Sequence, residues 1–143
     1  MSERHVSRIV VDLLLERRNS TTGKTEILMM LAEYLDNQYD LPGGHLEPGE
    51  DLYDAMIRET EEELCIKLKR KDLKMIHLLH HYHGERLNFI FETDGEELNP
   101  QIGEPHKCSE LKWVPIKKLP KNTTAKVKQM IKNIIKNNFY DTL

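Results

Sequence analysis

The stretch from Gly44 to Ile66 reads GHLEPGEDLYDAMIRETEEELCI, and its spacings decide how the rest of the chain is read. As a helix over about Asp51 to Leu64, it places Leu52, Met56, Glu59 and Glu63 at i, i+4, i+7 and i+11, with Ala55 and Glu62 beside them. One stripe therefore begins apolar and ends acidic. Its first two turns anchor to a core, and the same face then carries Glu59, Glu62 and Glu63 toward a cleft instead of open water. Carboxylates so close raise one another's pKa unless cations neutralise the group, and hard oxygen ligands select Mg2+ or Mn2+.

A run of glutamates on a helix is more often a solvated face than a ligand set. The wider pattern reverses those odds. Matching Gly44-x5-Glu50-x7-Arg58-Glu59-x2-Glu62-Glu63 by accident has a chance below roughly one in a million per starting position at ordinary residue frequencies. The segment resembles the signature of the Nudix hydrolases, G-x5-E-x7-R-E-U-x-E-E-x-G-U with U an apolar residue. Thr60 stands at the first U position, where its methyl group still packs, and Cys65 replaces the glycine that usually ends the helix. Glycine readily takes the left-handed conformation there, which a residue with a side chain reaches at a cost of about 1 kcal/mol. Neither departure removes a carboxylate.

At 143 residues the chain suits one domain, expected over 1–143 with the signature at 44–66. Hydrophobic residues at 38% and charged residues at 31% describe a soluble globular protein, and no apolar run approaches a membrane span. The apolar stretch Ile9 to Leu15, broken by Asp12, reads as a strand, and no small-residue cleavage site follows it. Cys65 and Cys108 form no disulfide or zinc spacing, which fits a reducing cytoplasm. The net charge of −3 hides an asymmetry, because residues 50–63 hold seven acids and one arginine and the remainder sums to +3. Concentrated acid on a mildly basic body argues against a nucleic-acid polymer as partner, and the lysines of 117–136 read as the solvent side of a helix.

Around the signature, Val6–Leu15 and Glu26–Ala32 read as two paired strands across the turn NSTTGK. Pro42, Gly43 and Gly44 turn the chain into the acidic helix. Lys74–His83 and Arg86–Thr93 form a hairpin across Gly84-Glu85. In its second strand Leu87, Phe89 and Phe91 face a core, and Asn88, Ile90 and Glu92 point the other way. A loop over 94–106 precedes a strand at Ser109–Ile116. A helix at Thr123–Phe139, with Asn122 or Thr123 as its N-cap, covers one sheet face. This order lacks regular βαβ alternation.

The resemblance implies an α/β (α+β) fold, an α/β/α sandwich around a mixed sheet. It also implies a Mg2+- or Mn2+-dependent hydrolase that cleaves a nucleoside diphosphate linked to another group, a small-molecule nucleotide such as a modified nucleoside triphosphate. Glu59, Glu62 and Glu63 are expected to hold metal, joined by the Gly44 carbonyl and by one later glutamate. Glu104, in a loop, is preferred for that role over Glu110 beside a strand. Glu59 or the later glutamate deprotonates the attacking water. Arg58 pairs with a nearby glutamate, and Glu50 acts behind the ligands. Trp113 is a candidate for stacking on a base. The alternatives are a catalytically silent nucleotide sensor and a prenyl diphosphate isomerase on the same scaffold; the intact carboxylates argue against the first. A homodimer is an ordinary expectation for a soluble protein. His77, His81 and His83 share a strand face opposite His80, with no acidic or thiol partner at zinc spacing.

Overall fold

The N-terminal apolar run forms β1 (Arg8–Arg18), in which Val11, Leu13, Leu14 and Leu15 are all fully buried. A strand buried on both faces needs a layer on each side. The computed structural model supplies both layers; it describes residues 3–143, so the first two residues of the expected domain lie outside the described part. Along the chain follow β2 (Thr25–Ala32), β3 (Gln38–Asp40), β4 (Gly43–His45), α1 (Leu52–Leu64), β5 (Lys74–His81), β6 (Arg86–Asp94), β7 (Glu110–Pro115), α2 (Ala125–Ile135) and β8 (Tyr140–Thr142). The sheet is mixed. β1 pairs antiparallel with β2 and β4 and parallel with β6, β5 is antiparallel to β6, and β8 is parallel to β5.

Helix α1 packs on one face over Val11, Leu13, Leu28 and Phe91, with Met56 inserted and Tyr53 edge-on to the Phe91 ring at 4.9 Å. Helix α2 packs on the other over Leu14, Met29, Leu79 and Ile90, with Val127, Met130 and Ile131 inserted. The expected α/β/α layering is thus present, and β1 pairs with β2 as expected.

Three expectations need correction. β6 faces a core on both sides: Phe89 and Phe91 meet the α1 layer and Ile90 the α2 layer, because each helix covers one face of the same strand. Helix α2 ends at Ile135, where Asn137 at φ 58° reverses the chain. Phe139 accepts a hydrogen bond from the Leu78 amide at 2.7 Å and leads into β8, which the helical periodicity had masked. Thr124, not Asn122 or Thr123, precedes the helix. Thr123 donates its hydroxyl to the Pro120 carbonyl at 2.7 Å, and Asn122 donates to the Asn37 carbonyl at 2.9 Å.

Candidate active site

Helix α1 starts where Asp51 caps it, accepting a hydrogen bond from the Asp54 amide at 2.9 Å. It ends at Cys65, which adopts the left-handed conformation (φ 58°, ψ 35°) that the sequence demands of it. Thr60 is fully buried and donates its hydroxyl to the Met56 carbonyl at 2.7 Å. Glu59 (8% exposed) and Glu63 (6% exposed) therefore point inward.

Strand β4 runs alongside them. A side chain at Gly44 would collide with the Glu59 carboxylate, so the bare glycine makes room for it. The Gly43 amide donates to Glu63 Oε1 at 2.9 Å. From the other side, the loop after β6 clamps the C-terminal end of α1. Gln101 and Gly103 donate their amides to the carbonyls of Leu64 and Glu63 at 3.0 and 2.9 Å. A Cβ at Gly103 would meet the Glu62 carbonyl, so this approach also requires glycine. The clamp delivers Glu104, whose Oε1 is buried without a hydrogen-bond partner. Glu110 lies elsewhere, accepting from the Tyr39 hydroxyl at 3.2 Å.

Arg58 organises the acids. Its Nε and Nη2 donate to both oxygens of Glu50 at 2.8 and 2.9 Å, while Nη1 reaches Glu59 at 2.9 Å and Glu62 at 3.3 Å. The Arg58 hydrogen bond holds the Glu50 carboxyl below its ordinary pKa, and the same contact raises that of Arg58. Glu62 stands at the rim, its side chain 45% exposed, and does not line the cleft. Burial first, and then the charge of Glu59, pushes the Glu63 carboxyl up to about 9; the Gly43 hydrogen bond opposes this and Glu104 adds to it.

These groups fit a hard divalent cation. The donors are all oxygens, one buried carboxylate oxygen is orphaned, and like charges crowd until something neutralises them. As placed, no three such side chains among the described residues enclose a cation, and the Arg58 guanidinium lies between Glu59 and Glu62 instead.

Glu59, Glu63 and Gly44 form one end of a cleft of about 590 Å3 that also exposes Tyr34, Asp40 and Lys126. Sequence reasoning missed this second set. Asp12, which interrupts an apolar strand, was its one visible signal, and Asp12 lines the cleft floor at 2% exposure. Lys126 is an exception to the solvent-facing lysines: its ammonium lies 3.2 Å from Asp40. Burial works against that charge, but Asp12 and Asp40 raise its pKa above the ordinary value. Trp113 does not line the cleft. On β7 it pairs with Leu28 of β2, in the layer under α1, with the Arg17 guanidinium 4.3 Å from its ring, so it cannot stack on a ligand in the cleft.

The mixed sheet between two helices and the buried acids of α1 define the class of fold. A family profile described as NUDIX domain matches residues 5–134, and the chain belongs to that family. Among curated relatives, it is 32% identical over 98 residues to the NAD-capped RNA hydrolase NudC of Chromobacterium violaceum, covering 68% of this chain and 36% of that protein. It is 49% identical over 44 residues to the asymmetrical bis(5'-nucleosyl)-tetraphosphatase of Caenorhabditis elegans, covering 31% of this chain and 32% of that one. The chain thus spans about a third of the length of these relatives. A MutT NUDIX hydrolase from Burkholderia pseudomallei shares the fold at a TM-score of 0.74 and 23% identity, covering 88% of this chain and 96% of that one.

Proposed function

We propose that this chain hydrolyses the pyrophosphate bond of a nucleoside diphosphate linked to another group, with a nucleoside triphosphate or a modified one as substrate, and that it requires Mg2+ or Mn2+. The observation that carries this reading is the burial of Glu59 and Glu63 beside side-chain-free Gly44 in a nucleotide-sized cleft, with Glu104, whose Oε1 is orphaned, near enough to act on the charge of Glu63. Glu59, Glu62, Glu63, Glu104 and the Gly44 carbonyl would hold the cation. When bound, it neutralises the pyrophosphate charge and acidifies a water. Glu59 or Glu104 accepts the proton of the attacking water. The water oxygen bonds to phosphorus, the bridging P–O bond breaks, and the leaving phosphate group takes a proton. Arg58 fixes the rotamers of Glu50 and Glu59 through its 2.8–2.9 Å contacts. Glu62, exposed at the rim, joins only by turning inward from its contact with Arg58.

Both thiols are free, which supports work in a reducing cytoplasm. Among the described residues no helix is long and apolar enough to cross a membrane. Light scattering on the purified protein tests the homodimer.

The deciding experiment incubates the protein with Mg2+ and a panel of nucleoside triphosphates, oxidised nucleotides, nucleotide sugars, ADP-ribose, NAD, dinucleoside polyphosphates and a short NAD-capped RNA. Phosphate, pyrophosphate and nucleotide products are followed beside a Glu63→Gln control. Turnover that depends on metal and is lost in the control supports the reading. Dinucleoside tetraphosphate turnover would favour a second reading, motivated by the local identity to the Caenorhabditis elegans enzyme. Nucleotide binding without any turnover would bring the sensor reading to the front.

A further inference from the structure

The two ends of the cleft differ in chemistry. Besides the acids of α1 it is lined by Tyr34, Asp40, Arg86, Lys126 and the buried Asp12. Tyr34 sits on the turn after β2 and is 69% exposed while lining the cavity. Partial burial, and then the charges of Asp40 and Glu63, hold its phenol above the ordinary pKa. Behind it the polar groups are nearly dry. Asp12 and Asp40 are 2% and 7% exposed, and Lys126 pairs with Asp40 at 3.2 Å. Fully buried Asn88 donates to Asp12 at 2.7 Å and leaves its own Oδ1 without a partner, as does the Nε of Arg86.

Fold stability does not account for this set. Buried ion pairs stabilise no better than apolar residues of similar volume, and an orphaned buried polar atom is unfavourable. The surrounding layer, Leu14, Leu79 and Ile90, is fully buried and apolar. A concave site with a few convergent donors and acceptors is how proteins orient a small ligand.

We propose that Tyr34, Asp40 and Lys126 form the subsite for the planar heterocycle of the substrate, Tyr34 stacking on its face while the carboxylate and the ammonium pair with its edge. The proposal rests on the nucleotide-hydrolase reading above. Nucleobase edges carry N–H donors beside oxygen or nitrogen acceptors, and a carboxylate next to an ammonium complements that alternation. The cavity that ends at Glu59 and Glu63 is continuous with this subsite, so a ring held by Tyr34 directs the attached phosphates toward the acids.

The test measures, by calorimetry in Mg2+, the binding of GMP, AMP, CMP and UMP against ribose 5-phosphate, which lacks the ring. The wild-type protein should prefer at least one monophosphate. Tyr34→Ala should lose that preference by about 5- to 150-fold, the range set by base–aromatic stacking, and Tyr34→Phe should keep it. Asp40→Asn should reorder the four bases. Tyr34 is exposed, so its alanine variant should fold, which thermal melting checks. Equal wild-type binding of monophosphates and ribose 5-phosphate overturns the proposal. So does a Tyr34→Ala variant that keeps the base preference, or an Asp40→Asn variant that only melts earlier with the ranking intact. Base-selective binding without hydrolysis of any substrate would sink the hydrolase reading and leave the subsite standing; hydrolysis with an unaltered preference in Tyr34→Ala would do the reverse.

Discussion

Replacing Glu63 with glutamine should abolish hydrolysis and at the same time stabilise the metal-free fold. The wild-type carboxyl is nearly dry and faces Glu59, and its pKa is pushed from 4.5 up to about 9. The folded state therefore holds a proton that the unfolded chain gives up, so this group supports folding fully below about pH 4.5. That support is lost progressively as the pH rises toward 9. At pH 7 the loss is about 3 kcal/mol, taking 1.36 kcal/mol for each pH step above 4.5. Glutamine carries no charge, and its carbonyl can still accept the Gly43 amide that donates to Glu63 at 2.9 Å. In EDTA the variant should melt about 9 °C above wild type at pH 7, at about 3 °C per kcal/mol for a domain of this size. The gap should close near pH 4.5 and widen toward pH 9. Mg2+ should raise the wild-type melting temperature and leave the variant's unchanged, because the cation replaces the proton only where a carboxylate receives it. A variant that melts below wild type in EDTA at pH 7, or a gap independent of pH, would refute this account of the acid cluster.

Gly44→Ala should lower kcat/KM at least ~10-fold, because its methyl group would displace the Glu59 carboxylate; steady-state kinetics beside a melting curve separates this from unfolding. Glu16 is a second raised carboxyl, pushed to about 7 by burial and by Glu92, so the stability it confers is full below 4.5 and lost as the pH rises through 7. Glu16→Gln should flatten the melting temperature between pH 5 and 8 by about 2 °C, a small effect because the site is half-buried and screened. Trp113→Phe should leave KM within about twofold, since the ring packs against Arg17 outside the cleft; a large rise in KM would return Trp113 to the binding site.

Much of the site was legible because its information is local. The spacing of Arg58, Glu59 and Glu63 along one helix and the left-handed turn at Cys65 depend on residues within a few turns of one another. Strand β1 was legible for the same reason: a dense apolar run has few conformations that bury it. The limit of β6 was not, because alternation reports which way side chains point and says nothing about whether a second layer covers the other face. Helix periodicity likewise carried α2 too far, past the point where Asn137 reverses the chain into β8.

By itself the sequence determined the helix that carries the acids, its apolar anchor and the glycine needed beside it, since each follows from spacing or from a missing side chain. Tertiary structure alone decided which later glutamate reaches those acids: Glu104 arrives because the loop bonds to the carbonyls ending α1, while Glu110 is drawn off to Tyr39. It also decided that Trp113 lies outside the cleft and that Asp12, Asp40, Lys126 and Tyr34 meet within it. These residues are separated by up to most of the chain, and only the register of β1 with its neighbours and the bonds that tie Thr124 and Lys126, at the start of α2, to Tyr39 and Asp40 of β3 bring them to one wall.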